Sequence, residues 1–386
     1  MSDEGTEVEL LIFADDWGKH PSSCQHLTSR LLSQHAVTWV NTIGTRAPRL
    51  DRATVRRVWG KVKGRVGNRH SQTAEAAPRS RGPIVLNPVM WPWVASRFDR
   101  RVNRVLLAGQ LRRRIAAMSG PVIAITTVPV VADLLGELPV ERWVYYCVDD
   151  FSEWPGLEQK ALRHLENDLV KRADVLIAVS EHLRARLQSM GRSSHLLTHG
   201  VDLDEWSHAR PYESIAGLDQ LPRPLIVFWG LIDRRLDVPC LARLSQELSA
   251  GTILLVGPEQ GPDPAIDHLP HVVRWSALAR DRLPDLARES SVLIMPYADL
   301  PVTRAMQPLK LTEYLASGLP VVTTDLPSTR AWADALDLTT SPQSFALAVK
   351  QRLMTSLPAD QKGARARLAD ESWDAKAHQF ARWALD

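Results

Sequence analysis

Short apolar runs alternate with longer amphipathic segments along most of the chain. The apolar runs predict buried strands at 8–14, 36–41, 84–88, 121–126, 143–148, 174–179, 224–229, 252–256, 271–275, 291–295 and 320–324. Apolar residues spaced three and four apart predict helices at 23–33, 97–117, 156–171, 181–190, 239–249, 281–289, 308–317, 342–355 and 372–385. This alternation indicates an α/β fold in which crossover helices connect parallel strands.

The helix at 308–317 has the clearest boundaries. Pro308 is favoured at a helix start, where its missing N–H costs nothing, and Gly318 followed by Pro320 ends the helix before a β-branched strand. The face that the spacing predicts to be buried carries Leu311, Tyr314 and Leu315. The sequence therefore predicts a short helix that docks just before a strand.

Lys310 and Glu313 lie three residues apart near the positive N-terminus of this helix, on a face other than the apolar one. A cation, backbone donors and a helix dipole at one point suit a pyrophosphate, and a carboxylate one turn on can accept from two vicinal hydroxyls. The pair therefore predicts a nucleotide-sugar site. The alternative is a solvated Lys–Glu pair on an ordinary amphipathic helix.

The run from Pro308 to Val322 resembles the P-x-K-x-x-E-Y-x-A-x-G-x-P-V-V signature of GT-B glycosyltransferases, in particular the glycosyltransferase 4-like (group 1) family of bacterial exopolysaccharide and cell-envelope biosynthesis. The resemblance implies that Lys310 contacts the donor diphosphate, that Glu313 contacts the ribose hydroxyls, and that Leu309 and Pro308 line the donor cleft. Many retaining members carry a second Glu where this chain has Ala305, so the stereochemistry of transfer stays open.

Other positions in the second half are candidates for the same site. Gly230 ends a strand, where a glycine permits close approach of a ligand, and the basic residues that follow can reach a phosphate. The family resemblance favours Arg235 over Arg234 for this contact; the alternative is a charge pair at a helix start. Gly257 is another strand-end glycine typical of a nucleotide cleft. Arg304 follows a threonine, as in one subgroup of the family, and is a second candidate phosphate contact.

A polar turn follows the first strand. Ligands of doubly wound folds collect at the carboxyl ends of strands, so this turn is expected to face a cleft. Ser22 or Ser23 can cap the next helix and leave its N–H groups free for an anion. The turn also resembles an H-P-S-S-x-Q-H element of exopolysaccharide glycosyltransferases, which makes His20, Ser22 and Ser23 candidates for an acceptor or phosphate loop. The alternative is an ordinary N-cap beside a solvated His20.

Two adjacent carboxylates, Asp149 and Asp150, end an apolar strand in the first half. Successive strand residues point to opposite faces, so at most one of the two naturally points into a cleft. That one is a candidate catalytic base for an acceptor hydroxyl. Many relatives have His-Asp here, with Asp149 at the His position, which favours Asp149; the alternative is a capping Asp beside a solvated one.

Ser180, His199 and Asp202 could suggest a catalytic triad. The chain has no G-x-S-x-G elbow, and the three residues fit elements that close the first domain of GT-B proteins. We therefore interpret them as structural.

Composition restricts the function further. A chain of 386 residues that is 45% hydrophobic can bury two medium cores. No apolar run reaches the about 18 residues of a membrane span. Its three cysteines are far apart, so neither a disulfide framework nor a zinc site is implied, and the cytoplasm is the expected location.

The net charge of +3 conceals a basic segment. Residues 46–114 contain 18 Lys or Arg against three Asp or Glu, a net charge of +15. One interpretation is a solvated surface; another is a face for anionic lipid headgroups or a lipid-pyrophosphate acceptor. Nucleic-acid binding is disfavoured because no recognition motif accompanies the charge. The part at about 60–82 lacks periodicity and is expected to be a mobile loop.

The strand–helix alternation agrees with the GT-B architecture that the resemblance implies, in which two Rossmann-like, doubly wound domains with parallel sheets face each other across a cleft. Residues 1–205 would bind the acceptor, 206–368 a UDP-, GDP- or dTDP-type sugar donor, and 369–386 would form a helix that packs back on the first domain. The predicted enzyme is a hexosyltransferase without metal or cofactor, acting on a lipid-linked or polysaccharide acceptor, peripherally on the inner membrane face. Alternatives are a sugar-nucleotide epimerase or hydrolase of the same fold, or a basic nucleic-acid-binding or scaffold protein.

Overall fold

The computed structural model describes residues 8–19, 22–42, 82–151, 158–206 and 211–386. The chain divides into two compact units. The first extends to Ile177 and includes Leu187–Ser194 and Trp383–Asp386; the second comprises Ala178–Arg186 and His195–Arg382. Most of the basic segment and of the expected mobile loop lies outside the described residues.

The strands of the first sheet are β1 (Glu9–Ala14), β2 (Val37–Asn41), β3 (Ile84–Leu86), β4 (Val122–Thr126), β5 (Arg142–Cys147), β6 (Val175–Ala178) and β7 (His195–Leu196), in the order β3-β2-β1-β4-β5-β6-β7. The helices between them are α1 (Ser23–Leu31), α2 (Arg97–Ile115), α3 (Gln159–Arg172) and α4 (Glu181–Ser189). β1 pairs in parallel with both β2 and β4, so the strand order reverses there. Such a reversal opens a crevice at the carboxyl ends of the strands.

The second sheet repeats this arrangement with β8 (Leu225–Trp229), β10 (Thr252–Val256), β12 (Val272–Trp275), β13 (Val292–Met295), β14 (Val321–Thr324) and β15 (Asp337–Thr339). Its order is β12-β10-β8-β13-β14-β15, and all its pairs are parallel. A small parallel pair, β9 (Ile232–Asp233) and β11 (Glu259–Gln260), follows β8 and β10. The order reverses between β8 and β13.

The remaining helices cover this second sheet or follow it: α5 (Val238–Glu247), α6 (Leu283–Glu289), α7 (Pro301–Ala305), α8 (Leu309–Ala316), α9 (Pro327–Arg330), α10 (Pro342–Thr355), α11 (Ala359–Ala364) and α12 (Trp373–Ala384). The central strands of both sheets, among them β1, β4, β8, β10 and β13, are almost entirely buried, as parallel strands between helices must be. In β8 and β10 every residue is buried.

The α/β fold with two Rossmann-like sheets, expected from the pattern, is confirmed, and each expected strand and helix is present with small shifts at its ends. The pattern missed the shortest elements, such as β9, β11 and α7, because two to five residues carry no period. In the part of the chain that the structure describes, no helix has the length and apolarity that a bilayer crossing requires.

Candidate functional site

The carboxyl ends of β8 and β13 meet at the point where the strand order of the second sheet reverses. β8 runs into Gly230, and β13 runs into Pro296 and Tyr297. In doubly wound sheets ligands bind in the crevice at this reversal, because the loops of the two strands separate there. The residues that surround Gly230 and Tyr297 therefore form the candidate site.

Helix α8 is anchored against the end of β8. Leu311, Tyr314 and Leu315 are fully or almost fully buried, as the spacing predicted. The Tyr314 hydroxyl accepts a hydrogen bond from the Trp229 N–H at 2.9 Å, and the two rings pack edge to face at 4.3 Å. Pro308 is the N-cap residue and Gly318 ends the helix with φ of +76°. This docking fixes where Lys310 and Glu313 point.

Lys310 reaches the end of β8. Its Nζ donates to the Tyr297 hydroxyl at 2.7 Å and lies 4.2 Å from the centroid of the Phe228 ring. A Cβ added at Gly230 would lie 2.0 Å from this Nζ, so only glycine leaves room for the ammonium group. Among the described residues Lys310 has no carboxylate partner. An ammonium group held by a hydroxyl and aromatic faces, without a counter-ion, suits an anionic ligand.

Gly257 supports this arrangement from the next strand. Its N–H donates to the Trp275 carbonyl at 3.0 Å, and its φ is +155°. A Cβ there would lie 1.9 Å from the carbonyl oxygen of Gly230. The two strand-end glycines, both predicted from the sequence, are therefore in backbone contact. Pro308 and Leu309 lie at the start of α8, the helix that carries Lys310, and their part in the donor cleft stays a prediction.

Arg235 lies near the same tyrosine. Its guanidinium carbon is 5.8 Å from the centroid of Tyr297, and its Nε donates to both carboxylate oxygens of Asp233 at 2.9 and 3.0 Å. The side chain is only 12% exposed. Asp233 is thus a charge partner of Arg235, and the diphosphate contact that the resemblance implies stays a prediction. The guanidinium group of Arg235 and the ammonium group of Lys310 thus both lie close to the Tyr297 ring.

Glu313 contacts an arginine, Arg280, whereas Lys310 bonds to Tyr297. The Oε1 of Glu313 lies 3.3 Å from Arg280, which also contacts Glu205 at 3.1 Å. Burial raises the pKa of the Glu313 carboxyl above its ordinary value, and the Arg280 charge and the Trp229 side chain oppose this rise. The i, i+3 residues Lys310 and Glu313 therefore do not form the solvated pair that was the alternative interpretation.

Arg304 is differently placed. Residues 299–304 and 325–330 read Asp-Leu-Pro-Val-Thr-Arg and Asp-Leu-Pro-Ser-Thr-Arg, and both form the same short capped helix after a strand. Arg304 makes two bonds to Asp299, at 2.5 and 2.7 Å, and Arg330 makes the same pair within its own segment. The Arg304 side chain is 53% exposed. This repeated ion pair is a feature of the turn, and a phosphate contact by Arg304 would require the pair with Asp299 to open.

The polar turn after β1 is held by α1. Ser22 is the N-cap of α1, and its side chain accepts from the Gln25 N–H at 3.3 Å. Gln25 in turn accepts from the Gly18 N–H at 3.0 Å, so the turn is closed on the helix start. Ser23 is buried, with 3% exposure. His20 lies outside the described residues, and the role of this turn stays a prediction.

Asp149 and Asp150 follow β5, in the first sheet between β4 and β6. Asp150 is 6% exposed, and Asp149 is half-buried. The sequence had favoured Asp149 as the catalytic base, and the burial singles out Asp150 as the carboxylate with less access to water. The choice between them remains a prediction.

Ser180 and His199, two of the three residues that could suggest a catalytic triad, make contacts of a structural kind. Ser180 caps α4 by accepting from the Leu183 N–H at 3.2 Å, and its hydroxyl donates to the carbonyl of Ala305 at 3.1 Å. His199 is buried against Trp373, and burial lowers its pKa to about 4. These contacts agree with the structural interpretation of the motif.

Sequence reasoning missed Tyr297, Arg280 and Glu205. Tyr297 had a signal, since it follows a predicted strand whose end belongs at the crevice. Arg280 and Glu205 had none, because one lies in a short 3-10 turn and the other in a loop, 33 and 108 residues from Glu313.

Comparison with known sequences agrees with this geometry. Residues 223–354 match the family described as "Glycosyl transferases group 1". Over 180 residues the chain is 29% identical to TuaH of Bacillus subtilis strain 168, which carries the provisional name of a teichuronic acid biosynthesis glycosyltransferase. This match covers 44% of the chain and 45% of TuaH, less than half the length of either protein.

Solved structures resemble the whole chain at low sequence identity. Sucrose-phosphate synthase from Thermosynechococcus elongatus has a TM-score of 0.67 at 16% identity, with 97% of both chains covered. HepE of Anabaena, in complex with UDP-glucose, has a TM-score of 0.63 at 14% identity and covers 97% of this chain and 98% of its own. At these identities the likeness establishes the shared fold, with its two Rossmann-like domains.

Proposed function

We propose that the chain, whose residues 223–354 match the group 1 glycosyl transferases, transfers a sugar from a nucleoside-diphosphate donor to a hydroxyl group of a glycan or lipid-linked acceptor. The observation that carries the proposal is Lys310. Its ammonium group stands at the strand reversal, without a carboxylate partner among the described residues, over the bare backbone of Gly230. A diphosphate supplies the missing counter-charge.

In this proposal Lys310 and Arg235 stabilise the negative charge that grows on the departing diphosphate, the electrostatic role that a metal ion has in other enzymes. No metal or cofactor is therefore proposed. Glu313 accepts hydrogen bonds from the ribose hydroxyls. UDP is a reasonable first donor nucleotide to test, because the structurally similar HepE was solved with UDP-glucose.

Nucleotide binding tests the donor site directly. A ligand at a hundred times its Kd stabilises a protein by about 2.7 kcal/mol, which is several degrees in Tm. We expect UDP, GDP, dTDP or ADP to raise the Tm of the wild type in this way, and the Glu313→Gln variant to lose about half of the rise, the effect of a roughly tenfold weaker Kd.

The matched control is Glu247→Gln, because Glu247 is also a largely buried, ion-paired glutamate of the same unit, bound by Arg243 and Lys350. It should respond to nucleotide as the wild type does. If no nucleotide stabilises the wild type, or if the two variants respond alike, the donor site is wrong.

For the acceptor side we propose that Asp149 or Asp150 removes the proton of the attacking hydroxyl. Both carboxylates follow the carboxyl end of a central strand, the edge at which ligands of doubly wound sheets collect. Of the variants Asp149→Asn and Asp150→Asn, one should lower kcat on the order of 10²-fold, the size of a general-base effect. If both turn over at the wild-type rate, neither residue is the base.

We also propose peripheral contact with an anionic membrane through residues 46–114. In the described part of this segment, α2 exposes Phe98 and Val105 to solvent, 68% and 63% respectively. Part of its charge is already neutralised, since Arg100 and Arg112 pair with acidic residues. Co-sedimentation with anionic vesicles, and none with neutral ones, is the expected result; equal binding to both would contradict this contact.

A further inference from the structure

Arg280 lies between two carboxylates. One guanidinium nitrogen, Nη2, is 3.1 Å from Glu205 and 3.3 Å from Glu313. The three side chains are 28%, 24% and 12% exposed, so the contact is partly screened from water and stronger than a surface ion pair. Glu205 comes from the turn after Val201, Arg280 from the 3-10 turn Arg280–Arg282 and Glu313 from α8. Three separate segments therefore meet at one guanidinium group, that of Arg280.

Glu313 has two requirements if it is to accept from a vicinal diol. Its carboxylate must be ionised, because a protonated acid has fewer acceptor sites, and it must be held in one orientation. Burial works against the first requirement, and a free side chain on a helix surface would not meet the second. The neighbouring cation can satisfy both, provided that it is itself fixed.

We propose that Arg280 is the positioning residue of the ribose site: it orients Glu313 and keeps it ionised, and Glu205 anchors Arg280 in turn. This inference rests on the proposed donor site. It adds to that site the group of residues that distinguishes a ribose from a sugar without the 2′- and 3′-hydroxyls. Arg280 acts through Glu313 and need not touch the nucleotide.

The charged groups around Glu313 support the assignment of Arg280 as the residue that keeps Glu313 ionised. Arg280 lowers the pKa of Glu313, whereas Glu205 raises it slightly through its own charge. Lys310, on the same helix, bonds instead to Tyr297. Arg280 is therefore the cation on which the ionisation of Glu313 depends, and losing it should move the pKa of Glu313 further up.

The test compares nucleotides that differ only at the ribose. We would measure the Kd of UDP and GDP, and of their 2′,3′-dideoxy counterparts, by calorimetry for the wild type and for Arg280→Met. The wild type should prefer the ribonucleotide roughly tenfold, the order expected for hydrogen bonds to a charged group. In Arg280→Met this preference should fall to about twofold or less, since the carboxylate is no longer held in place. Binding of the dideoxy compounds should change little.

The pH dependence gives an independent readout. As the pH falls, the ribose preference should decline in both proteins once the Glu313 carboxyl gains its proton. In Arg280→Met this decline should begin at a higher pH than in the wild type, because loss of the Arg280 charge raises the pKa of Glu313 further. Glu205→Gln should give an intermediate loss, and Arg280→Lys should restore part of the preference.

Arg274→Met is the matched control. Arg274 also bridges two carboxylates, Glu259 and Asp267, and its side chain is 27% exposed, close to the value of Arg280. This variant should keep the full ribose preference. Thermal unfolding of each variant excludes a general loss of structure.

The outcomes separate this inference from the proposed function. If the wild type binds none of the nucleotides, the donor site itself fails. If it binds them with a ribose preference that Arg280→Met retains, or if Arg280→Met weakens ribo- and dideoxynucleotides equally, the donor site stands and the positioning role of Arg280 is overturned.

Discussion

Replacing Lys310 with methionine should lower sugar transfer on the order of 10²- to 10³-fold, the cost of removing one donor from a charge-stabilising site. Methionine keeps a side chain of similar length and apolar character beside Phe228, so the protein should still fold. It lacks the positive charge that would bind the diphosphate. Release of nucleoside diphosphate from the donor sugar, together with calorimetric binding of the nucleotide, measures the effect. Both kcat and donor affinity should fall.

Arg304→Ala is the control for this experiment. The resemblance placed Arg304 at the same phosphates, but its guanidinium forms two bonds to Asp299 on an exposed surface. The variant should therefore bind and turn over the donor within about twofold of the wild type, as surface substitutions usually do. An Arg304→Ala defect as large as that of Lys310→Met would show that the Asp299 pair opens during the reaction.

Replacing Gly257 with alanine should damage the fold. The new Cβ would lie 1.9 Å from the Gly230 carbonyl oxygen, a backbone atom of the adjacent strand end that no rotamer change can move away. The positive φ of +155° adds strain for any side chain. We expect a loss of about 3 kcal/mol or more in the free energy of unfolding, and a Tm lower by roughly 5–10 °C.

Gly230→Ala should behave differently although its clash is almost as short. The nearest atom is Lys310 Nζ, the end of a flexible side chain that can swing aside. Part of the stability is lost through the φ of +137°, but the main loss should be donor binding, since Lys310 is displaced. Chemical denaturation and nucleotide titration of both variants distinguish the two glycines.

Gly261→Ala controls for backbone strain alone. Gly261 has a φ of +60° and nothing within 4 Å of the added Cβ, so it should cost only about 1 kcal/mol and leave donor binding unchanged. If Gly230→Ala binds nucleotide like Gly261→Ala, Lys310 is not held where the structure places it. A Gly257→Ala variant as stable as Gly261→Ala would contradict the backbone contact.

Much of the site was accessible from local sequence patterns. The helix carrying Lys310 and Glu313, its buried face and its glycine stop all depend on residues a few positions apart, which is the range over which helix period and capping act. The same holds for Gly230 and Gly257, because a glycine at the end of an apolar run marks a strand end. These predictions needed no knowledge of the strand order.

The sequence by itself thus determined the α/β class, the strands and helices, and the residues with which a donor could be bound. Only the tertiary structure decided which partners those residues have. Lys310 donates to Tyr297, Glu313 contacts Arg280, which also contacts Glu205, and Arg304 pairs with Asp299. The reason is physical. Which strand ends and loops meet is set by the order of strands in the sheet, and that order depends on packing between segments far apart in the chain, which no local period records.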